Sequence, residues 1–359
     1  MAELIRGRPA ITSEWIASLG LDLLSSASLA TIAHDFEGLG TWLLEAWSAL
    51  PARLRRDLDL SLRLTNYPQA VVETIVAEVL CENCGGHESA EALFADLRAL
   101  DAAACARMAD AILAKSMKRR DVQSPLSPAA LRADLEALES VLEQLQTPVP
   151  AADAAQLLHA PTEWRDLLVS ALQRFWERVY REQWEQTRDQ LIRSVEYHRR
   201  RSHPADFPAL FQSVTGRQIP ERLRARLDEI EHVRFVPSLY LGPYVSFLFV
   251  DTTATIFYNG EGTPAGDVVG PQIEDLYHPL TALADKTRLA IIAMLSGREL
   301  YAQEIVDRLG ISQSAVSRHL QLMVDMKVLN VRRGERGAKY YSINTETLRT
   351  VAQRLSEFR

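Results

Sequence analysis

The sequence predicts a mainly α-helical protein with small antiparallel β elements, divided between a large N-terminal domain and a smaller C-terminal one. Three observations carry that prediction. Across roughly the first 230 residues, Ala, Leu, Glu and Arg recur with apolar spacing near 3.6. From Val233 the character turns β-branched and aromatic. Beyond a stretch rich in glycine and proline, short amphipathic helices lead into two alternating strands around glycines.

The chain has 359 residues, enough for two or three domains at ~150 residues each. Apolar residues at 47% and charged residues at 24% suit a folded soluble protein and exclude intrinsic disorder. No apolar run approaches the ~18 residues of a membrane span, so no membrane is expected as a partner. The start at Met1 lacks the apolar core of a secretion signal, which predicts a cytoplasmic protein. Three cysteines, an odd number, build no disulfide framework. A net charge of −7 argues against nucleic acid as a partner, but the average conceals an asymmetry. Between Ser312 and Tyr340, Arg318, Lys327, Arg332, Arg333, Arg336 and Lys339 face only Asp325 and Glu335. That segment is +4, which leaves −11 for the rest.

Helix breaks fall at Leu50-Pro51, Asn66-Tyr67-Pro68, Gly85-Gly86, Ser124–Pro128, Thr147–Pro150 and Ala160-Pro161. Thr162 to about Arg201 reads as one long helix. Thr162 caps it, Glu163 and Asp166 occupy its first turn, and Arg199-Arg200-Arg201 close it, an order that complements the helix dipole. Trp176, Tyr180 and Trp184 form a stripe at i, i+4, i+8, the pattern of a core helix. A second reading has these aromatics lining an effector cavity. Residues 233–258 read as a small antiparallel β-meander. Residues 259–271 hold four glycines and two prolines and read as a linker. The predicted division is an effector or assembly domain over 1–258, a linker over 259–271, and a C-terminal domain over 272–359.

In the C-terminal domain, Ile273, Leu276, Tyr277, Leu280 and Leu283 mark a first amphipathic helix. Asp285 can cap a second, with an apolar stripe of Leu289, Ile292 and Leu295. Ala302 to Leu309 is a third, stopped by Gly310 in a C-cap position. Ser312 caps a fourth, whose buried face is Val316, Leu320 and Met323. Its outward face carries Gln313, Ser314, Ser317, Arg318 and Gln321, flanked by His319. A merely solvated helix would carry Glu and Lys pairs. Ser, Gln and Arg match instead the donors and acceptors of base edges and phosphates. Two helices joined by the tight Gly310-Ile311-Ser312 turn form a helix-turn-helix. The following hairpin, made basic by Arg332, Arg333, Arg336 and Lys339, completes a winged helix suited to double-stranded DNA.

Leu283–Leu289, Glu304–Leu320 and the Arg332-Arg333-Gly334 to Tyr340-Tyr341-Ser342-Ile343 wing resemble the arsenic-repressor (ArsR) type of winged-helix regulator. This resemblance covers roughly Asp275 to the C-terminus. A second one covers about Trp164 to Tyr258, where Phe175–Val179, Trp184, Val233–Ser238 and Asp251 are similar to long ArsR-type proteins with an uncharacterised helical N-terminal domain. It implies a DNA-binding regulator, usually dimeric, with no activity assigned to the extra domain. Lys286 departs from the proline often found there. Glu299–Glu304 lacks the cysteines of the arsenic and cadmium sensors, and Thr345–Arg359 lacks the histidines of the zinc sensors. The familiar metal sites are missing, so no cofactor is expected. Leu348, Val351, Leu355 and Phe358 make an apolar stripe on the last helix, which resemblance to the family assigns to a partner subunit.

Outside this domain, Cys81-x-x-Cys84 with His87, and Cys105 as a fourth ligand, is the one constellation with zinc or thiol chemistry, though no second knuckle follows. Gly260-x-Gly262 and Gly266 surround Pro264 with no helix to follow, which does not suit a nucleotide loop. No Ser or Cys nucleophile motif occurs. The expectation is therefore a non-enzymatic homodimeric regulator, a repressor on a palindromic operator, with an unidentified small-molecule effector. Alternatives are a thiol or zinc sensor using Cys81 and Cys84, an N-terminal enzyme under winged-helix control, and a winged helix that binds protein only.

Overall fold

Capping chemistry sets most helix starts in the computed structural model, which describes residues 11–36, 39–80, 89–204, 206–242, 244–260, 276, 279–333 and 338–357. Strand β1 (Thr12–Trp15) opens the described chain. Helix α1 (Leu19–Ile32) follows, capped by the Ser18 hydroxyl accepting from the Leu21 amide at 3.3 Å. α1 is buried nearly all round, the signature of a central core helix, and takes Asp22, Ser25, Ser26, Ser28 and Thr31 into the interior with its leucines.

Against it pack α2 (Thr41–Ala49), α3 (Ala52–Leu62), α4 (Pro68–Ile75) and α5 (Ala90–Ala99), and α6 (Ala102–Arg120) packs on α4. Next come α7 (Pro128–Ala133), α8 (Leu135–Gln144), α9 (Ala151–His159) and α10 (Pro161–Phe175). The Trp164 indole donates to the Ser61 carbonyl at 2.9 Å, which locks α10 onto α3 with no polar atom wasted.

The long helix expected from Thr162 exists with two differences. It begins with Pro161 at its first position and Ala160 as the cap, so Thr162 caps nothing. A π-helical turn, Trp176–Tyr180, interrupts it before α11 (Arg181–Arg199). This wide turn swings Tyr180 inward, where its hydroxyl donates to buried Asp22 and accepts from Ser26 at 3.3 Å. Trp176 and Tyr180 are buried in the core and Trp184 packs half-buried against it, so the aromatic stripe is packing.

After α12 (Phe207–Thr215) and the single turn α13 (Glu221–Arg224), three strands follow: β2 (His232–Ser238), β3 (Ser246–Val250) and β4 (Thr253–Asn259). The expected antiparallel meander is only half present. β3 and β4 pair antiparallel, but β2 runs parallel to β4, and β1 adds parallel to β2, giving the order β1-β2-β4-β3. The β-branched pattern fixes strands but not their directions. Trp15 reaches Phe235 in register, and their rings stack at 5.4 Å.

In the C-terminal part, helical residues 279–283 precede α14 (Lys286–Met294). Asp285 caps α14 by accepting from the Arg288 amide at 2.8 Å. The buried stripe is not the expected one. Arg288 and Ile291 face inward with Leu295, while Leu289 is 53% exposed. Arg288 tolerates burial because its guanidinium donates to the Ala282 and Thr281 carbonyls at 2.6 and 3.1 Å. Then come β5 (Leu300–Tyr301), α15 (Ala302–Leu309), α16 (Gln313–Asp325), β6 (Leu329–Arg333), β7 (Lys339–Ile343) and α17 (Thr345–Glu357). The three short strands form one antiparallel sheet, β5-β7-β6. Its core contains Ile291, Leu300, Ile305, Val316, Leu320, Met323 and Tyr341.

Candidate nucleic-acid interface

The turn between α15 and α16 is built as its residues demand. Gly310 sits at φ +68°, a left-handed position that glycine adopts without strain, and its amide donates to the Val306 carbonyl at 2.9 Å. Ser312 then starts α16 by accepting from the Ala315 amide at 3.2 Å. Val316, Leu320 and Met323 are fully buried. That burial fixes the rotation of the helix and sends Gln313, Ser314, Ser317 and Gln321 outward, all exposed. Ser312 and Ser314 share a hydroxyl contact at 3.0 Å.

His319 departs from expectation. It is 4% exposed, because its spacing from Val316 (i+3) and to Met323 (i+4) places it on the inner stripe. It is not available to a duplex in this structure.

The wing divides its cations into two kinds. Arg332 donates to Glu299 at 2.7 Å and lies 4.7 Å from the Tyr340 ring, so the protein itself uses it. Arg333 and Lys339 form one rung of the β6/β7 ladder, and both are exposed. Neither has an acidic partner among the described residues. Like charges facing each other across a ladder repel, and an anion lying over the rung removes that cost. Arg336 lies outside the described residues.

Two side chains of α16, Arg318 and Asp325, touch residues far from it in sequence, and a third, Gln321, braces Asp325 from within the helix. Arg318 donates to the Asp35 carbonyl at 2.5 Å and stacks 4.5 Å from the Phe36 ring. Asp325 pairs with Arg217 in a nearly buried salt bridge, 6% and 9% exposed. Gln321 donates to the other Asp325 oxygen at 2.7 Å. Arg217 follows Gly216, whose φ of +69° ends α12 and turns the chain toward α16. No periodicity or motif in the sequence signals the Arg318 and Asp325 contacts, since the two halves of each are over 100 residues apart.

The remaining expected sites fare unevenly. Cys81, Cys84 and His87 lie outside the described residues. Cys105 is fully buried with its sulfur 3.9 Å from the Leu100 carbonyl, and burial holds its thiol above the ordinary value. Among the described residues no cluster of His, Cys, Asp and Glu is arranged for a metal. On α17, Val351 is buried in its own chain, and Leu348 packs half-buried against the C-terminal core. Leu355 is 46% exposed, and Phe358 lies outside the described residues. A groove of about 430 Å³ occurs away from the aromatic stripe, lined by Trp47, Arg55, Arg56, Asp59 and Pro148–Pro150. Among the described residues no helix is long and apolar enough to cross a membrane.

Residues 285–331, from the Asp285 cap through α14, α15 and α16 into β6, match the family model "Bacterial regulatory protein, arsR family". They form an ArsR-family helix-turn-helix domain. The ArsR-type domain makes this chain a DNA-binding transcriptional regulator. Among solved structures, HlyU from Vibrio cholerae N16961 is 28% identical, over 25% of this chain and 98% of that one, with a TM-score of 0.22. NolR from Sinorhizobium fredii is 27% identical, over 26% of this chain and 95% of that one, also with a TM-score of 0.22. No curated protein matches the chain. The family match leaves the helical N-terminal region uncharacterised.

Proposed function

We propose that the protein is a homodimeric cytoplasmic repressor that binds a palindromic operator through its ArsR-type winged helix. In this reading α16 enters the major groove. Gln313, Ser314 and Ser317 meet base edges or nearby phosphates, joined by Arg318 and Gln321 once these are released. Arg333, Arg336 and Lys339 hold the phosphates beside the groove. The observation that carries the reading is the exposed Arg333/Lys339 rung beside a recognition helix whose outward face is hydroxyl and amide. Both features suit a polyanion that displays hydrogen-bonding groups.

Residues 1–258 serve as the effector or assembly domain, 259–271 as the linker and 272–359 as the DNA-binding domain. Exposed Leu355 supports a partner subunit over the last helix, and a two-fold dimer would set half-sites ~34 Å apart. The test is a gel shift and footprint with the DNA upstream of the protein's own gene. A protected palindrome supports the reading. No shift at low ionic strength, on that DNA or any duplex, rejects it.

A further inference from the structure

The side chain best placed to read bases is occupied by the protein itself. Arg318 gives a guanidinium N–H to the Asp35 carbonyl at 2.5 Å and lays its charge on the Phe36 ring at 4.5 Å. Both partners belong to the turn that ends α1, a 3₁₀ segment over Ala33–Asp35. That turn is anchored from behind. Arg63, just past the end of α3, donates to the Thr31 carbonyl at 3.1 Å, and the Tyr244 and Phe36 rings meet edge to face at 5.7 Å. At the far end of α16, Arg217 clamps Asp325, which also holds Gln321. Two expected DNA-contact residues, Arg318 and Gln321, are thus both engaged within the chain.

We propose that this is an autoinhibitory latch, in which the Ala33–Phe36 turn of the N-terminal region competes with DNA for the recognition helix. The proposal rests on the DNA-binding reading above. Its physical basis is exclusion. A helix with its side chains is ~10–12 Å wide and the major groove ~12 Å, so a helix seated in the groove leaves no room for a second chain segment on its reading face. The turn lies within hydrogen-bonding distance of the Arg318 guanidinium, so docking on the turn and insertion into the groove exclude each other. DNA therefore sees only the released fraction of molecules, and apparent affinity falls by that fraction. Any ligand of the N-terminal region that moves the turn changes DNA affinity without touching the winged helix.

Phe36→Leu keeps an apolar side chain at this half-buried position and removes the ring face that attracts Arg318. The experiment compares the full-length wild type with F36L on a fluorescent mixed-sequence duplex of ~40 base pairs at ~50 mM salt. Hydrogen exchange across Ala33–Phe36 is followed with and without that duplex. The latch predicts that F36L binds ~3- to 10-fold more tightly and that duplex lowers protection of the turn in the wild type. Equal affinity of the two proteins, with protection unchanged by DNA, refutes the latch and leaves DNA binding standing. Failure of both proteins to bind any duplex overturns the DNA-binding reading, and the latch falls with it.

Discussion

Replacing both members of the Arg333/Lys339 rung with alanine separates electrostatic anchoring from everything else the winged helix does. The two side chains sit opposite each other, exposed, with no acidic partner among the described residues, so each is free to neutralise one phosphate. Each neutralised phosphate contributes ~0.9 to the slope of log affinity against log salt, so the double variant should flatten that slope by ~1.8. Between ~50 and ~200 mM salt the wild type should therefore lose ~12-fold more affinity than the variant. Folding stability should hold or rise by ~0.2–1 kcal/mol, because a like-charge pair across a ladder is removed. Fluorescence anisotropy over a salt series, with thermal unfolding as the control, reads both quantities. An unchanged slope in a normally folded variant would show that the rung does not lie on the phosphate backbone.

Three further outcomes test other parts of the molecule. Burial lifts the Asp22 carboxyl to about 7, so between about pH 4 and 7 the folded protein keeps a proton that the unfolded chain has lost. Stability should fall as pH rises through that window, by up to ~4 kcal/mol, and stay level above it; Asp22→Asn should remove this slope in unfolding curves, and parallel curves for the two proteins would contradict it. Arg288→Ala strands the Thr281 and Ala282 carbonyls in the C-terminal core and should cost ~3 kcal/mol in denaturant unfolding of that domain, whereas a loss below ~1 kcal/mol would mean water replaces the guanidinium. Leu355→Glu should shift sedimentation from dimer to monomer, and an unaltered dimer would place the subunit contact elsewhere.

The winged helix was legible because its signals are local. Asp285, Gly310 and Ser312 each act within three or four residues, and each occupies the cap that its chemistry implies. Gln313, Ser314 and Ser317 followed from the burial of Val316, Leu320 and Met323. Errors began where a partner lies far along the chain or where a charged residue is buried. Arg288 reads as surface in any periodicity scan, yet two carbonyls just before its own helix solvate it and turn Leu289 outward. His319 has the chemistry of a DNA contact, but its spacing places it on the inner stripe. The parallel pairing of β2 with β4 left no trace, since alternation encodes which face is buried and not strand direction. Phe36 and Arg217 carry no local signal, because nothing near them in sequence says what they meet.

The pairing of Thr12 with His232 bears on how the protein is made. The first strand leaves the ribosome long before the strand it must join, and at ~5–20 residues per second the wait is ~10–40 seconds. Throughout that interval a short segment with unpaired amides and carbonyls trails the growing helices, open to any nascent chain or chaperone that offers a strand. Birth of the native sheet is therefore a late event in synthesis, and a ribosome stalled before His232 releases a product with its first strand unclaimed.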